Sequence, residues 1–235
     1  MDQKKYEFTG ETRALSSTTI LHRIRAVIDI PSAGVNAGDI GGWIESDSNL
    51  SHDNDAWVGG SACVFGNALV FGYARVDGSA LVFGNALVDG NARVFGNARV
   101  SGDAWVGGDA RVSGSAWVSD DARVCGNARV SGDAWVGGDA RVGGDARVSG
   151  DAWVVGDAHI NSNKDFIVIG PIGSRNGFTT FYKNKDKNVC VRCGCFSGTM
   201  DEFLAAVQET HGDNRFGREY RIAAELAKTH ILEDD

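Results

Sequence analysis

The chain has 235 residues, which is enough for one large domain or for a repeat body with caps at its ends. It carries 23 basic and 31 acidic residues, and a formal net charge of −8 argues against attraction of the whole molecule to nucleic acid or to an anionic membrane. Its 32 glycines recur mostly every six residues rather than every three, which excludes collagen.

Three further features concern the compartment. No apolar run approaches the length of about 20 residues that spans a bilayer, and the N-terminal stretch MDQKKYEFTGETRAL lacks the apolar core of a signal peptide. The five cysteines are scattered and follow no disulfide framework. We therefore expect a soluble, cytoplasmic protein with reduced cysteines.

The first 43 residues show the alternation of strands. Apolar and polar side chains alternate in YEFTGETRAL, in TTILHRIRAVIDI and in GDIGGWIE. The pattern predicts that residues 1–43 form an N-terminal β cap, built from hairpins, that covers the first turn of the repeat that follows.

Residues 44–160 repeat a unit of six residues, A-x-V-x-G-[ND]. Alanine stands at every sixth position from Ala56 to Ala158 without a break, which gives eighteen hexads, and valine follows two places later except at Ile160. Six residues are three strand periods, so Ala and Val share one side of the chain and x takes the other. The Gly-Asn and Gly-Asp pairs tolerate positive φ and predict a corner.

Three hexads then make a triangular coil of 18 residues, and the chain is predicted to wind as a parallel β-solenoid. Alanine fits inside beside the corner, and valine fills the flat part of the core, where a polar side chain would be buried without a partner. At a rung spacing of about 4.8 Å, six coils give a rod of roughly 29 Å. One coil cannot bury its inner face alone, so both ends of the rod require caps.

The residue between Ala and Val points outward, and residues 18 apart stack in three columns. The columns are Trp57, Arg75, Arg93, Arg111, Arg129 and Arg147; Cys63, Leu81, Arg99, Trp117, Trp135 and Trp153; and Leu69, Leu87, Trp105, Arg123, Arg141 and His159. Large residues are therefore sorted by face.

The arginine column is the strongest candidate for an anion site. Two unit charges about 4.8 Å apart in water repel each other by roughly 0.9 kcal/mol before screening, so a negative group should lie beside them. One interpretation is that Arg93, Arg111, Arg129 and Arg147 bind phosphate or carboxylate groups of a ligand. The alternative is internal pairing with aspartates on or near that face, namely Asp77, Asp109, Asp133, Asp145 and Asp151.

Another corner carries an aspartate row that is either a cation site or a set of exposed turn residues: Asp103, Asp121, Asp139 and Asp157.

The tryptophans are candidates for an interface or for ring stacking. Trp117, Trp135 and Trp153 form one continuous aromatic strip, and Trp105 lies in the neighbouring column. A contiguous apolar patch is typical of a binding surface, which favours contact between subunits. Stabilisation of the sheet by stacked rings, or stacking of a ligand on the rings, are the alternatives.

Rotated to V-x-G-[ND]-A-x, the unit resembles the hexapeptide motif of left-handed parallel β-helix proteins. The stretches GDIGGWIESDSNLS and CGCFSGTMDEFLAAVQETHGDNRFGREY are similar to uncharacterised hexapeptide-repeat proteins of enterobacteria and their phages, often labelled putative acyltransferases. The resemblance implies a mainly β fold with a left-handed solenoid and a homotrimer packed side to side. It also implies a phage or prophage origin, with counter-defence among the roles to consider.

The period of six disappears after Ile160, and residues 161–235 are predicted to form a small α+β cap or head. DFIVIGPIG and FTTFYK are predicted strands, KNKD a turn and NVCVRCGCF a further strand region. Thr199 is the predicted N-cap of a helix that ends at Gly212, and a second helix is predicted over about 216–230. GPIGSRNG is a hairpin turn or, through Ser174 and Arg175, an anion-binding loop.

Catalytic and metal candidates are few. His159 is the one histidine on the regular rod and is a candidate general base, although the end of an exposed ladder explains it equally. Cys190, Cys193 and Cys195 with His211 are candidate zinc ligands, but no second C-x-x-C exists, and Cys193 and Cys195 also fit one apolar side of a strand. We expect no cofactor.

Three hypotheses for function follow. The first is a non-enzymatic binding protein, a rigid oligomeric rod whose partner is a host protein or an anionic, nucleotide-like ligand. The second is an acyl-CoA-dependent transferase with its site between subunits, which the unbroken run of hexads disfavours because no loop leaves the coils. The third is a structural spacer.

Overall fold

A computed structural model describes residues 4–233. The chain is mainly β, with three strands at the N-terminus, a parallel β-solenoid in the middle, and a four-stranded sheet with two helices at the C-terminus. Neither helix of this described part is both long and apolar enough to cross a membrane.

The N-terminal strands continue one face of the solenoid. Strands β1 (Tyr6–Ala14), β2 (Ile20–Ala26) and β3 (Ile40–Ile44) are antiparallel neighbours, as the alternation predicts. Strand β3 then pairs in parallel with a strand of the first coil, through Trp43↔Cys63. The expected boundary at residue 43 therefore falls inside β3, and cap and rod share one sheet.

Two side chains pin the N-terminus to the first coil. The buried Tyr6 hydroxyl donates to the Leu50 carbonyl at 2.9 Å. The buried Lys5 donates from Nζ to the Asn54 carbonyl at 3.1 Å, and burial lowers the pKa of Lys5 to about 8.

The solenoid contains one two-residue strand for each hexad. In chain order they are β4 (Trp57–Val58), β5 (Cys63–Val64), β6 (Leu69–Val70), β7 (Arg75–Val76), β8 (Leu81–Val82), β9 (Leu87–Val88), β10 (Arg93–Val94), β11 (Arg99–Val100), β12 (Trp105–Val106), β13 (Arg111–Val112), β14 (Trp117–Val118), β15 (Arg123–Val124), β16 (Arg129–Val130), β17 (Trp135–Val136), β18 (Arg141–Val142), β19 (Arg147–Val148), β20 (Trp153–Val154) and β21 (His159–Ile160).

These strands form three parallel sheets in which each residue pairs with the residue 18 positions on. Arg93 pairs with Arg111, and Trp117 pairs with Trp135. The alanines and valines of the hexads have exposures of 0 or 1% and make one continuous core. The 18-residue coil and the parallel stacking predicted from the period of six are confirmed.

Each corner turns on a residue with positive φ. From Gly60 to Gly156 every sixth residue has φ between +55° and +74°, and all are glycines except Asp120. Asp120 adopts φ +59°, and its carboxylate accepts the Gly138 N–H of the next rung at 2.9 Å. Aspartate tolerates this conformation better than most residues, and the hydrogen bond offsets part of its strain.

The C-terminal unit closes the lower end of the rod. Strands β22 (Phe166–Ile172), β23 (Gly177–Lys183), β24 (Val189–Cys193) and β25 (Phe196–Thr199) form an antiparallel sheet, followed by helices α1 (Met200–His211) and α2 (Arg215–Leu232). Phe166 and Tyr182 join the solenoid core, which dries its last rung.

Helix punctuation in this unit follows the sequence. Thr199 caps α1 by accepting the Glu202 N–H, and Gly212 ends the helix. A second capping box precedes β22, where Asp165 accepts from Ser162 N–H at 2.8 Å and from Lys183 Nζ at 2.9 Å. Burial works to raise the pKa of Asp165, but these hydrogen bonds outweigh it, and the pKa lies below its usual value.

One local expectation is wrong. Cys193 and Cys195 do not share one side of a strand, because Gly194 and Cys195 form the two-residue turn between β24 and β25. Gly194 has φ +56°, which suits the first central position of a tight hairpin. Cys195 is therefore exposed at the turn.

Candidate ligand site

The arginine column forms a straight row on one sheet. We call Arg93, Arg111, Arg129 and Arg147 the Arg ladder; they pair rung by rung, and all four are exposed. None of the four guanidinium groups forms an ion pair or a side-chain hydrogen bond with the residues that the structure describes.

Internal neutralisation occurs only one rung above. Arg75 binds Asp77 on its own rung, with Nη2 and Oδ2 3.0 Å apart, and also donates to the Ala33 carbonyl. Two aspartates near the ladder are engaged by amides instead: Asp109 accepts from Asn91 at 3.0 Å, and Asp145 accepts from an asparagine at 3.0 Å.

The aromatic strip is a stacked ladder whose ring N–H groups are partly satisfied. We call Trp117, Trp135 and Trp153 the Trp strip; the centroids of the first two lie 5.7 Å apart, and the last two meet edge to face at 5.4 Å. Trp117 donates from Nε1 to Ser101 at 3.0 Å, and Trp135 donates to Ser119 at 2.9 Å.

Trp153 departs from this pattern. The place that Ser101 and Ser119 occupy on the two rungs above is taken by Gly137, which offers no hydroxyl. The Nε1–H of Trp153 consequently has no acceptor in the described part of the chain, whereas its backbone N–H donates to Thr180 Oγ1 at 3.0 Å. The last ring of the strip therefore keeps a free donor.

Trp105 lies outside the strip, on the neighbouring sheet. Its Nε1–H donates to Asp89 at 2.8 Å, and within residues 4–233 it makes no ring contact with another aromatic side chain. Trp57, at the top of the arginine column, is buried under the N-terminal cap.

A cavity of about 500 Å³ lies between the end of the Trp strip and the C-terminal unit. Its walls come from β20, the β22–β23 turn, β23, the β24–β25 hairpin, α1 and α2. The lining residues that bear on binding are Trp153, Ser174, Arg175, Phe178, Arg192, Cys193, Cys195, His211 and Tyr220. We call this space the head cavity; its volume lies within the range of small-molecule sites.

Arg192 is held against the Trp strip but is not saturated. Its guanidinium carbon lies 4.9 Å from the centroid of the Trp153 ring, a cation–π contact. Nη1 donates to the Phe196 carbonyl at a long 3.5 Å, while the buried Nε–H has no partner in the described chain. A buried N–H without an acceptor is costly, which points to an acceptor supplied from outside the chain.

Arg175 supplies a second positive charge from the β22–β23 turn. Its guanidinium lies against the β24–β25 turn, where a Cβ built on Gly194 would be 3.8 Å from Nη1. Neither an ion pair nor a side-chain hydrogen bond engages it within residues 4–233. Asp151 is the one carboxylate among the lining residues, so two guanidinium groups face a single acid.

The opposite wall is aromatic. Tyr220 packs 5.7 Å from Phe203 and 5.7 Å from His211, centroid to centroid. Burial and the neighbouring Cys193 raise the pKa of Tyr220 to about 12, so its hydroxyl is protonated at neutral pH. The cavity therefore combines cationic donors on one side with rings and a neutral hydroxyl on the other.

The four zinc candidates are divided between two places. Cys193, Cys195 and His211 line the head cavity, but Cys190 lies on the opposite face of β24 and packs against the solenoid core. No group of three or more His, Cys, Asp or Glu residues within the described part of the chain is arranged to hold a metal. The structure does not bring the predicted ligand set together.

His159 is not brought to the cavity. It ends the third column in β21, half-buried and paired with Arg141. No hydrogen bond orients its ring within the part of the chain that the structure describes.

Comparison with known proteins identifies the repeat. A family model described as "YdcK Beta solenoid repeat" matches residues 92–108, 106–120, 122–138 and 140–156. These coils are β-solenoid repeats. The matched segments cover well under half of the chain and include neither the N-terminal strands nor the C-terminal unit. A comparison with curated proteins found no match.

Arg192, His211 and Tyr220 were not assigned to an anion site by the sequence. Their positions in VRCGC and in two helices predict only a strand and apolar helix faces. Arg175 did carry a signal, because SRNG after a strand suggested an anion-binding loop. The absence of serine at Gly137 is a second signal, visible once the rungs are aligned.

Proposed function

We propose that this protein is a non-enzymatic binding protein whose head cavity holds a small anionic ligand that carries a planar ring, a nucleotide-like molecule. The solenoid serves as the rigid support that fixes Trp153 at the mouth of the cavity. The observation that carries the proposal is the set of unsatisfied donors, Arg175, Arg192 and Trp153 Nε1–H, around one aromatic space.

The chemistry of the walls defines the ligand class. Guanidinium groups bind phosphate and carboxylate oxygens through paired N–H donors. Trp153 and Phe178 offer apolar ring surface, on which a planar ring packs favourably. A ligand with both parts gains from both walls, whereas each half alone gains from only one.

The test is calorimetric titration of the full chain with the 5′-monophosphates of adenosine, guanosine, cytidine and uridine. The proposal expects at least one of them to bind, and to bind at least about tenfold more tightly than its nucleoside or inorganic phosphate. Arg192→Gln should weaken that binding by about 10- to 100-fold, because a hydrogen bond to a charged group contributes about 1.5–3 kcal/mol.

Arg123→Gln is the matched control, since it removes an equally exposed positive charge from a different face of the rod. It should leave nucleotide affinity unchanged. Absence of binding by all four nucleotides, or equal affinity of the wild-type protein and Arg192→Gln, would refute the proposal.

We further propose that the protein assembles as a homotrimer through the Trp strip. Support comes from Trp117, which remains 40% exposed on a flat sheet although its ring N–H is satisfied. Exposed indoles in a row are typical of a surface that another chain covers.

A further inference from the structure

The Arg ladder presents four positive charges that the chain leaves free. Each guanidinium is exposed and unpaired within residues 4–233, as described above. The side chains beside the lower three rungs are the serines Ser113, Ser131 and Ser149, which leave the sheet surface low and flat. Repulsion along such a row is relieved by a row of negative charges with the same spacing.

The spacing of the ladder discriminates between polyanions. Strands of the sheet are about 4.8 Å apart, so the four charges lie at about 0, 4.8, 9.6 and 14.4 Å along the solenoid axis. Side chains on one face of an extended strand recur only every 6.6 Å or so. Charges along one strand of duplex DNA recur about every 3.4 Å.

An α-helix parallel to the solenoid axis fits better than either. With a rise of about 1.5 Å per residue, carboxylates at positions i, i+3, i+7 and i+10 lie at about 0, 4.5, 10.5 and 15 Å. These positions share one face of the helix. Each carboxylate then falls within about 1 Å of a rung of the ladder.

From this match we propose that the Arg ladder is the docking surface for the acidic face of an α-helix in a partner protein. The helix lies along the solenoid axis, with one carboxylate on each of Arg93, Arg111, Arg129 and Arg147. Phe95, 41% exposed beside the top rung, is placed to contact an apolar side chain of the same helix. This inference does not depend on the head cavity.

The experiment uses the full chain and a labelled, Ala-based helical peptide of about 18 residues, with Glu at positions 3, 6, 10 and 13. A second peptide has the same composition, with its glutamates distributed around the helix, and circular dichroism checks that both are equally helical. Fluorescence anisotropy at low salt should show that the first peptide binds at least about fivefold more tightly than the second. The difference should shrink as salt is added.

The variant pair separates the ladder from general charge. Arg111→Gln with Arg129→Gln removes two rungs and should weaken the first peptide by roughly tenfold, from two exposed ion pairs. Arg123→Gln with Arg141→Gln removes the same charge from the neighbouring sheet and should leave binding within about twofold. The thermal midpoints of both double variants should match the wild type, because these guanidinium groups have no partners in the described chain.

Several results would overturn the proposal. They are absence of peptide binding, equal binding of the two peptides, and equal weakening in the two double variants. Tighter binding of a duplex DNA than of the first peptide at the same salt concentration would assign the ladder to nucleic acid instead. A peptide that binds only after the protein dissociates into monomers would show that a second copy of the chain covers this face.

Discussion

The stacked corners of the solenoid make a prediction that depends only on rung spacing. Gly90 and Gly150 both have positive φ, +63° and +66°. A Cβ on Gly90 would lie 2.8 Å from the backbone nitrogen and 2.9 Å from the carbonyl oxygen of Gly108, one rung below. A Cβ on Gly150 would meet nothing within 4 Å, because no corner follows it.

The magnitudes follow from two separable costs. Both Gly→Ala variants place alanine in the left-handed region, at about 1–2 kcal/mol. Both also gain about 0.4–1 kcal/mol, because alanine restricts the unfolded chain. Gly150→Ala should therefore cost between roughly 0 and 1.5 kcal/mol. Gly90→Ala adds overpacking against backbone that cannot move aside, at about 1–3 kcal/mol more.

The assay is urea unfolding at equilibrium, followed by tryptophan fluorescence, with both variants measured beside the wild type. Gly90→Ala should lower the free energy of unfolding by about 1–3 kcal/mol more than Gly150→Ala does. Equal destabilisation by the two variants would refute the reasoning, because it would mean that the corners do not stack in contact along the rod.

Three further predictions concern the junction, the strip and the core. Asp165→Asn should lower the thermal midpoint at pH 7, because Lys183 loses its charged partner. Since the folded pKa of Asp165 is depressed, the wild-type advantage should be full above about pH 4 and shrink as the pH falls further; an advantage independent of pH would contradict this. Trp135→Ala should convert a trimer into smaller species in native mass spectrometry, and an unchanged mass would remove the strip from the interface. Val118→Thr, at 0% exposure, should cost about 1–3 kcal/mol in urea unfolding through a buried hydroxyl without an acceptor; a neutral result would mean that this core admits water.

The rod could be predicted from its sequence because each hexad specifies its own local structure. Ala and Val fix the inner face, and Gly fixes the corner. The stacking of residues 18 apart then follows without any long-range information. The exception at Asp120 shows the limit of the rule, since its side chain is tolerated through a hydrogen bond to Gly138 that the repeat does not announce.

The head cavity could not be predicted in the same way. Trp153, Arg175, Arg192 and Tyr220 come together through the docking of β23 under β20 and the packing of α2 on the sheet. These contacts depend on tertiary geometry rather than on any period. The pairing state of the arginines also lay beyond the sequence, because Arg75 has an aspartate two residues away and the ladder below it does not.

The most direct test of the account is hydrogen–deuterium exchange on the full chain, with and without the tightest-binding nucleoside monophosphate at saturation. Binding in the head cavity predicts slower exchange confined to the turn at 173–177, the hairpin at 192–196 and the rung that carries Trp153. Unchanged exchange in those segments, or protection along the rungs from 93 to 147 instead, would contradict the assignment of the ligand site to the head cavity.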